Sequence, residues 1–286
     1  MFPPVFVERM AELGIDISLY QKYPRKAVHV LRHEEEIIET FDLEPVLWGP
    51  HCFWADELKK IQDVYYNSVF VQDAASVVPV LALDVKNDHC VLDLCAAPGS
   101  KTLHIARNAQ YVVANDSHRN RVRRLRYNMT RFGVENCEIL CCDGKQLRLN
   151  QKMDRVLVDA SCTGEGMVGK IHKAMKLWSL KRIKVLSHVQ RRLVINGLSL
   201  LRRGGILVYS TCTFAPEENE GVIDYVLKKM DSVKLEQISI AHLQYVPGLT
   251  FWKGKEYDPS VKKAIRIYPF HNNTNGFFVA RLRKIE

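Results

Sequence analysis

Compact apolar runs along the chain alternate with longer stretches whose apolar residues recur every three or four positions. Residues 91–95, 111–115, 138–142, 155–159 and 206–210 each read as a buried strand, since a strand covered on both faces is apolar throughout instead of alternating. The segments 119–132, 179–201 and 217–229 have the helical period; in the first, Val122, Leu125 and Met129 share one stripe, with Arg123, Arg124 and Arg126 elsewhere. Strands alternating with helices predict an α/β fold around a doubly wound, mostly parallel sheet. Two late runs, 264–269 and 276–283, are expected to be antiparallel and to close one edge. The first 50 residues differ, being charged, punctuated by Pro3, Pro4, Pro24, Pro45 and Pro50, and acidic at Glu34, Glu35 and Glu36. They predict a small appended element, which divides the chain into 1–70 and 71–286. No internal repeat or low-complexity linker interrupts the pattern.

Composition narrows the class. At 286 residues, 47% hydrophobic and 26% charged, the chain is long enough for a large core and unlike a disordered or fibrous one. Its longest apolar run, 77–83, falls well short of the roughly 18 residues that a membrane span requires. The start of the chain has two prolines and Glu8 where a secretory signal has a basic flank and an apolar stretch, so an intracellular protein is expected, cytoplasmic or nuclear. A net charge of +9 makes a polyanionic partner plausible. The eight cysteines are expected as thiols, because a chain this rich in core needs no stapling. There is no C-x-x-C pair, and Cys137, Cys141 and Cys142 lack a second ligand pair, so no metal is expected.

The segment Val91-Leu92-Asp93-Leu94-Cys95-Ala96-Ala97-Pro98-Gly99-Ser100-Lys101-Thr102 reads as a strand, a tight turn of small residues and a helix start. Such a turn lets backbone N–H groups approach a ligand at the C-terminal end of a parallel sheet. A P-loop needs Gly where Ser100 and Cys95 stand, and a dinucleotide fingerprint needs three glycines where this turn has only Gly99. A nucleoside without a pyrophosphate remains. Asp116, closing the second strand, suits the ribose hydroxyls, and Asp143, after the third, suits the exocyclic amine of an adenine. Either alone is more often a turn former or a helix cap. With Asp159 after the fourth strand, three acids at successive strand ends favour a site.

Two cysteines follow strands on the same sheet edge, Cys162 in Asp159-Ala160-Ser161-Cys162-Thr163-Gly164-Glu165-Gly166 and Cys212 in Tyr209-Ser210-Thr211-Cys212-Thr213. A free cysteine is more often buried filler, as expected of Cys52, Cys90 and Cys137, but position separates these two. Carbon 5 of a pyrimidine is too weak a nucleophile to take a methyl group until a thiolate has added to carbon 6. A second polar or thiol group can then assist loss of the carbon-5 proton and expulsion of the first thiol. A carboxylic acid near ring nitrogen 3 would stabilise the adduct, a place for Asp159.

Together these residues resemble the RNA cytosine-5 methyltransferase family from about Val71 onward. The markers are Gln72-Asp73-Ala74-Ala75-Ser76, the turn from Cys95 to Lys101, Asp116 with Arg121, Asp143, Asp159 with Cys162, Ser210-Thr211-Cys212-Thr213 with Glu217-Glu218-Asn219-Glu220, and Gly276-Phe277-Phe278-Val279-Ala280. The resemblance implies a class I methyltransferase (Rossmann-like) domain with a sheet of about seven strands and a small N-terminal RNA-recognition element. It implies S-adenosylmethionine as cofactor, held by Cys95, Ala96, Ala97, Pro98, Gly99, Ser100, Lys101, Asp116, Arg121, Asp143 and Asp159. It implies tRNA or rRNA as partner, tRNA being favoured by the lack of long charged tails, and a monomer is expected. By the same resemblance Cys212 attacks carbon 6, Cys162 assists release and Asp159 holds the cytosine edge. Two places depart from the family pattern. Ser161 stands where the family usually has proline, whose absence is expected to loosen the loop that aims Cys162. Residues 23–32 match only loosely the Arg-Val-Asn-Thr type of segment that opens the family's recognition element.

Basic residues cluster twice, in the arginine-rich segment 119–131 and in the run Lys170, Lys173, Lys176, Lys181, Arg182 and Lys184. The first reads equally as a phosphate contact and as a solvated face, with Arg121 set to orient Asp116. The second lies beside the expected base pocket and is read as RNA-facing. Trp178, within it, suits stacking on a base, though an amphipathic helix would more often bury it. A cytosine must leave its stack before a thiol can reach it, so an unpaired or flipped target is expected.

Overall fold

The computed structural model describes residues 2–21, 24–168 and 171–285, with Lys173 described only in its backbone. Tyr23 and Lys170, both singled out in the sequence, lie outside the described residues, as does the side chain of Lys173.

The N-terminal part comprises α1 (Pro4–Glu12), β1 (Ala27–Val30), α2 (Glu34–Phe41), β2 (Cys52–Trp54), α3 (Leu58–Val64) and β3 (Val69–Gln72). Strand β1 is central, antiparallel to both β2 and β3, and its Val28 and Val30 pack with Ile37 of α2 and Ile61 of α3 into a small core of their own. Residues 1–70 do not behave as one piece. Helix α1 leaves this core and buries Phe6 and Met10 against Ile171 and Phe214 of the larger part. The last strand, β3, straddles residue 70.

The larger part begins with α4 (Val78–Leu83), β4 (Cys90–Asp93), α5 (Ser100–Ala106), β5 (Tyr111–Asn115), α6 (Arg119–Arg131), β6 (Cys137–Leu140) and β7 (Met153–Asp159). It continues with α7 (Ile171–Met175), α8 (Leu180–Leu200), β8 (Leu201–Thr211), α9 (Glu220–Lys229), β9 (Val233–Glu236), β10 (Ile265–Ile267) and β11 (Phe277–Lys284). The sheet runs β10-β11-β8-β7-β4-β5-β6, with β9 on β11 and a two-residue strand at Val246–Pro247 outside β10, nine strands among the described residues. The five from β8 to β6 are parallel, and β11 is antiparallel to β8, as the late apolar runs predict. Five parallel strands with apolar cores on both faces make this a class I methyltransferase-type α/β fold. Each fully buried Leu, Ile or Val contributes roughly 1.5–3 kcal/mol, so the continuous apolar runs of β4, β7 and β8 dominate the stability of this region.

The register of the sheet builds the site. Asp159 at the end of β7 pairs with Ser210 near the end of β8, so the loops that follow these strands leave the sheet side by side. The turn after β4 leaves the same edge.

Candidate active site

The turn after β4 closes with Gly99 at φ +109°, a left-handed conformation that L side chains rarely adopt. A Cβ here would also sit 2.8 Å from the end of the Met129 side chain and 2.9 Å from that of Leu125, which would have to shift, while the backbone conformation itself calls for glycine. Asp116, almost wholly buried, receives the His118 amide on Oδ1 at 3.0 Å, and its Oδ2 lies 3.2 Å from the Arg121 guanidinium in an ion pair. That oxygen has no aligned hydrogen-bond donor, which leaves it free to accept a ribose hydroxyl. Arg121 also donates to the carbonyl of Ala97 and so ties the acid to the turn. These observations fit a nucleoside cofactor. Asp143 is half-exposed and accepts the Lys145 amide at 3.0 Å and its ammonium at 3.1 Å, the bonds of a turn former.

Lys101 extends away from this cofactor face. Its Nζ donates to Asp159 Oδ2 at 2.7 Å and to Ser76 Oγ at 3.1 Å, while Ser210 Oγ donates to Asp159 Oδ1 at 2.7 Å. The Lys101–Asp159 pair forms the floor of a cavity of about 480 Å³ between the N-terminal sheet and the edge of the large one, lined among others by Phe70, Ser76, Cys212 and Phe277. Gln72 and Asp73 close one side. Asp73 is partly buried and accepts the backbone and side-chain amides of Asn275 at 2.9 and 2.8 Å, with its carboxyl pushed up by desolvation to about 6.

Cys212 lines the cavity, and its Sγ lies 3.2 Å from Cys162 Sγ, both as free thiols. The hydrogen bond to Cys212 and burial together raise the Cys162 thiol well above its ordinary value, so Cys162 keeps its proton and can donate it to Cys212. The two cysteine loops touch through their backbones. The Gly166 amide donates to the Cys212 carbonyl at 2.9 Å and the Gly276 amide to the Gly166 carbonyl at 2.8 Å. A Cβ on Gly166 would sit 2.6 Å from the Gly276 oxygen.

The acidic segment after Cys212, read in the sequence as the start of a helix, is instead a set of clamps, and the helix begins only at Glu220. Asn219 accepts from the Thr211 hydroxyl at 2.6 Å and donates to the Thr213 carbonyl at 2.9 Å, bracketing Cys212 from both sides. Glu218 accepts from the amide and hydroxyl of Thr163 and, at 2.8 Å, from Gln190 of α8; Gln190 also donates to the Ser161 carbonyl at 3.0 Å. Burial raises the Glu218 carboxyl to about 8, so it is held neutral. Cys162 is thus gripped at Ser161 and Thr163, and the loop expected to be loose without its proline is tied down by side chains. Glu217 pairs with Arg9 of α1 at 2.8 Å, and Glu220 with the buried Arg266 at 2.6 Å.

Residues 80–283 match the family described as "16S rRNA methyltransferase RsmB/F". The chain belongs to the RsmB/F methyltransferase family. A tRNA (cytosine(49)-C(5))-methyltransferase of Pyrococcus abyssi is 38% identical over 86% of this chain and 81% of its own length. A tRNA (cytosine(72)-C(5))-methyltransferase of Pyrococcus horikoshii is 37% identical over 80% of this chain and 55% of its own length. The ribosomal RNA small subunit methyltransferase F of Erwinia tasmaniensis is 32% identical over 99% of this chain, which spans 64% of that protein. Among solved structures, a methyltransferase homologue from Pyrococcus horikoshii superposes with a TM-score of 0.82 at 29% identity, covering 99% of both chains. NSun6 from the same organism, solved with SFG, superposes with a TM-score of 0.69 at 33% identity over 82% of this chain and 58% of that one.

The RsmB/F chain carries two further features of its surface. Trp178 packs edge-to-face on Phe6 at 5.2 Å and donates to Glu165 at 2.8 Å, so it is spent inside and not offered to a base. Lys176, Lys181, Arg182 and Lys184 are exposed. Among the described residues no helix is long and apolar enough to cross a membrane, and no group of three or more His, Cys, Asp or Glu is placed to hold a metal. The Lys101–Asp159 pair and the Gln190–Glu218 clamp are the site features that sequence reasoning missed. The signal available was an acidic run directly after the second cysteine, too dense to be only a helix start.

Proposed function

We propose that this chain transfers a methyl group from S-adenosylmethionine to carbon 5 of a cytosine in structured RNA, with tRNA as the favoured class. The observation that carries the reading is the thiol pair 3.2 Å apart, with Cys212 on the wall of a cavity that also takes in the Lys101–Asp159 pair. The tRNA choice is supported by the two Pyrococcus relatives named for tRNA cytosines, and the cofactor by the family and by SFG, an S-adenosylmethionine analogue. Asp116 and the turn from Cys95 to Ser100 would hold the cofactor, which supplies an electrophilic methyl group when bound.

The chain's own residues do the rest. Asp159, with two lone pairs still open, accepts from the exocyclic amine of the cytosine, and Lys101, with an unused N–H, donates toward the ring's acceptor edge. Cys212 adds as a thiolate to carbon 6, so that a C–S bond forms and the displaced electron pair makes carbon 5 nucleophilic. After carbon 5 has gained the methyl group it gives up its proton, the C–S bond breaks, and the 5,6 double bond returns as the pair goes back to sulfur. Cys162 gives its proton to the departing Cys212 sulfur and takes the one from carbon 5. The test is methyl transfer from labelled S-adenosylmethionine into size-fractionated RNA by wild type, Cys212→Ala and Cys162→Ala. Label in the tRNA fraction that Cys212→Ala abolishes, with a covalent protein–RNA adduct persisting in Cys162→Ala on a denaturing gel, is expected. Label that survives Cys212→Ala rejects the nucleophile, and label confined to rRNA rejects the tRNA choice.

A further inference from the structure

Helix α6 spends its apolar side on Val122, Leu125 and Met129 and turns the rest of its surface outward. Of its six arginines, only Arg121 forms an ion pair among the described residues. Arg119, Arg123, Arg124 and Arg126 are exposed. Spacings of four and three residues place Arg119, Arg123 and Arg126 on one stripe, and spacings of three and four place Arg124, Tyr127 and Arg131 on the next. Four like charges on two helical turns repel one another, and among the described residues Arg123 finds only the neutral Asn120 side chain, to which it donates at 2.8 Å.

The second stripe leads to the cavity. Asn128 donates to the carbonyl of Pro98 at 2.8 Å, and Arg131 donates to the carbonyl of Val69 at 3.2 Å. Pro98 and Phe70, the neighbour of Val69, both line the cavity. Beside this junction stand two exposed tyrosines, Tyr127 at 55% and Tyr66 at 46%, whose hydroxyls share a hydrogen bond of 2.6 Å. The Arg131 guanidinium lies 3.6 Å from the centre of the Tyr66 ring. Exposed aromatic rings held in place by a cation and by each other have the makings of a stacking platform for an unpaired base, and the exposed guanidinium groups on the same helix, none of them in an ion pair among the described residues, are suited to phosphates.

We propose that the outer face of α6, together with Tyr66, is the track on which the RNA strand flanking the target cytosine lies, its phosphates on Arg119, Arg123, Arg124 and Arg126 and one unstacked base on the tyrosine pair. The proposal rests on the RNA reading above.

The experiment compares wild type with a variant carrying Arg119→Gln, Arg123→Gln, Arg124→Gln and Arg126→Gln, using total tRNA as probe. The variant should raise KM for RNA at least tenfold near physiological salt while leaving kcat at saturating RNA and the affinity for S-adenosylmethionine unchanged. The slope of log affinity against log salt should fall by about 3–3.5, since each of the four lost phosphate contacts removes roughly 0.7–0.9. Lysine at the same four positions should keep the slope, whereas Tyr66→Ala with Tyr127→Ala should weaken binding with the slope intact. An unchanged KM and salt slope in the glutamine variant, with thermal melting like that of wild type, overturns the proposal. A lysine set that loses the slope as well overturns it too. If wild type methylates no RNA at all, it is the underlying reading that fails.

Discussion

Replacing Gln190 by methionine keeps the length of the side chain and removes both of its donors. Gln190 is fully buried, and its amide holds the Ser161 carbonyl at 3.0 Å and Glu218 at 2.8 Å. Each acceptor left unpaired costs about 1–3 kcal/mol, and the relief of burying no amide oxygen returns part of this, since Gln190 Oε1 already lacks a partner. The net destabilisation is about 2–3 kcal/mol, which lowers Tm by about 3–5 °C in a protein of this size. The chemical effect is more selective. Cys212 is held by Asn219 through Thr211 and Thr213, bonds that Gln190 does not touch, so attack on carbon 6 continues. Cys162 loses the grip on one flank, and release slows. Gln190→Met is therefore expected to accumulate the covalent protein–RNA adduct that Cys162→Ala accumulates, to a smaller extent, with formation of the adduct near the wild-type rate. Denaturing gels over a time course read the adduct, and scanning fluorimetry reads Tm. A variant that melts about 3–5 °C lower yet clears its adduct as fast as wild type would refute the claim that this clamp aims Cys162.

Two further outcomes follow from the same geometry. Glu218 titrates near 8 in the folded protein against 4.5 as the ordinary value, so between those limits the native state holds a proton that the unfolded chain has released. Stability contributed by this site is present at low pH and lost as pH rises toward 8, at up to about 1.4 kcal/mol per pH unit, and Glu218→Gln should flatten that part of the profile in denaturant titrations; parallel profiles would disprove it. Asp116→Ala should weaken S-adenosylmethionine binding about 10–100-fold by calorimetry, the loss of one charged acceptor, and an unchanged affinity would reduce Asp116 to a cap for α6.

What the sequence made visible was the material that folding hides from water on both sides. Strands β4, β5, β7 and β8 are near-continuous apolar runs, and Asp116, Asp159, Cys162 and Cys212 follow them directly, so strand ends and reactive groups could be located together. Strands β1, β2 and β3 are only three or four residues long and are separated by charged helices, which leaves no period long enough to read. The short β9, Val233–Glu236, escaped for the same reason. The aim of Lys101 was hidden for a different one. Its place on the cofactor turn fixes its backbone, but the side chain follows the carboxylate of Asp159, a partner 58 residues away. The Glu218 clamp likewise joins positions 28 and 55 residues apart, and no local pattern reports such a pairing.

Strand β11 occupies the middle of its sheet region, between β8 on one side and β9 and β10 on the other, yet it is the last strand of the sheet to be synthesised. Phe278 sits opposite Thr211, one residue from Cys212, while Asn275 and Phe277 wall the cavity and the Gly276 amide closes on the loop of Cys162. A nascent chain that has not yet released these residues from the ribosomal tunnel therefore carries both thiols on an open edge with no pocket behind them. The pocket behind the two thiols is therefore completed only once β11 has been made and has paired with β8, later than either cysteine loop.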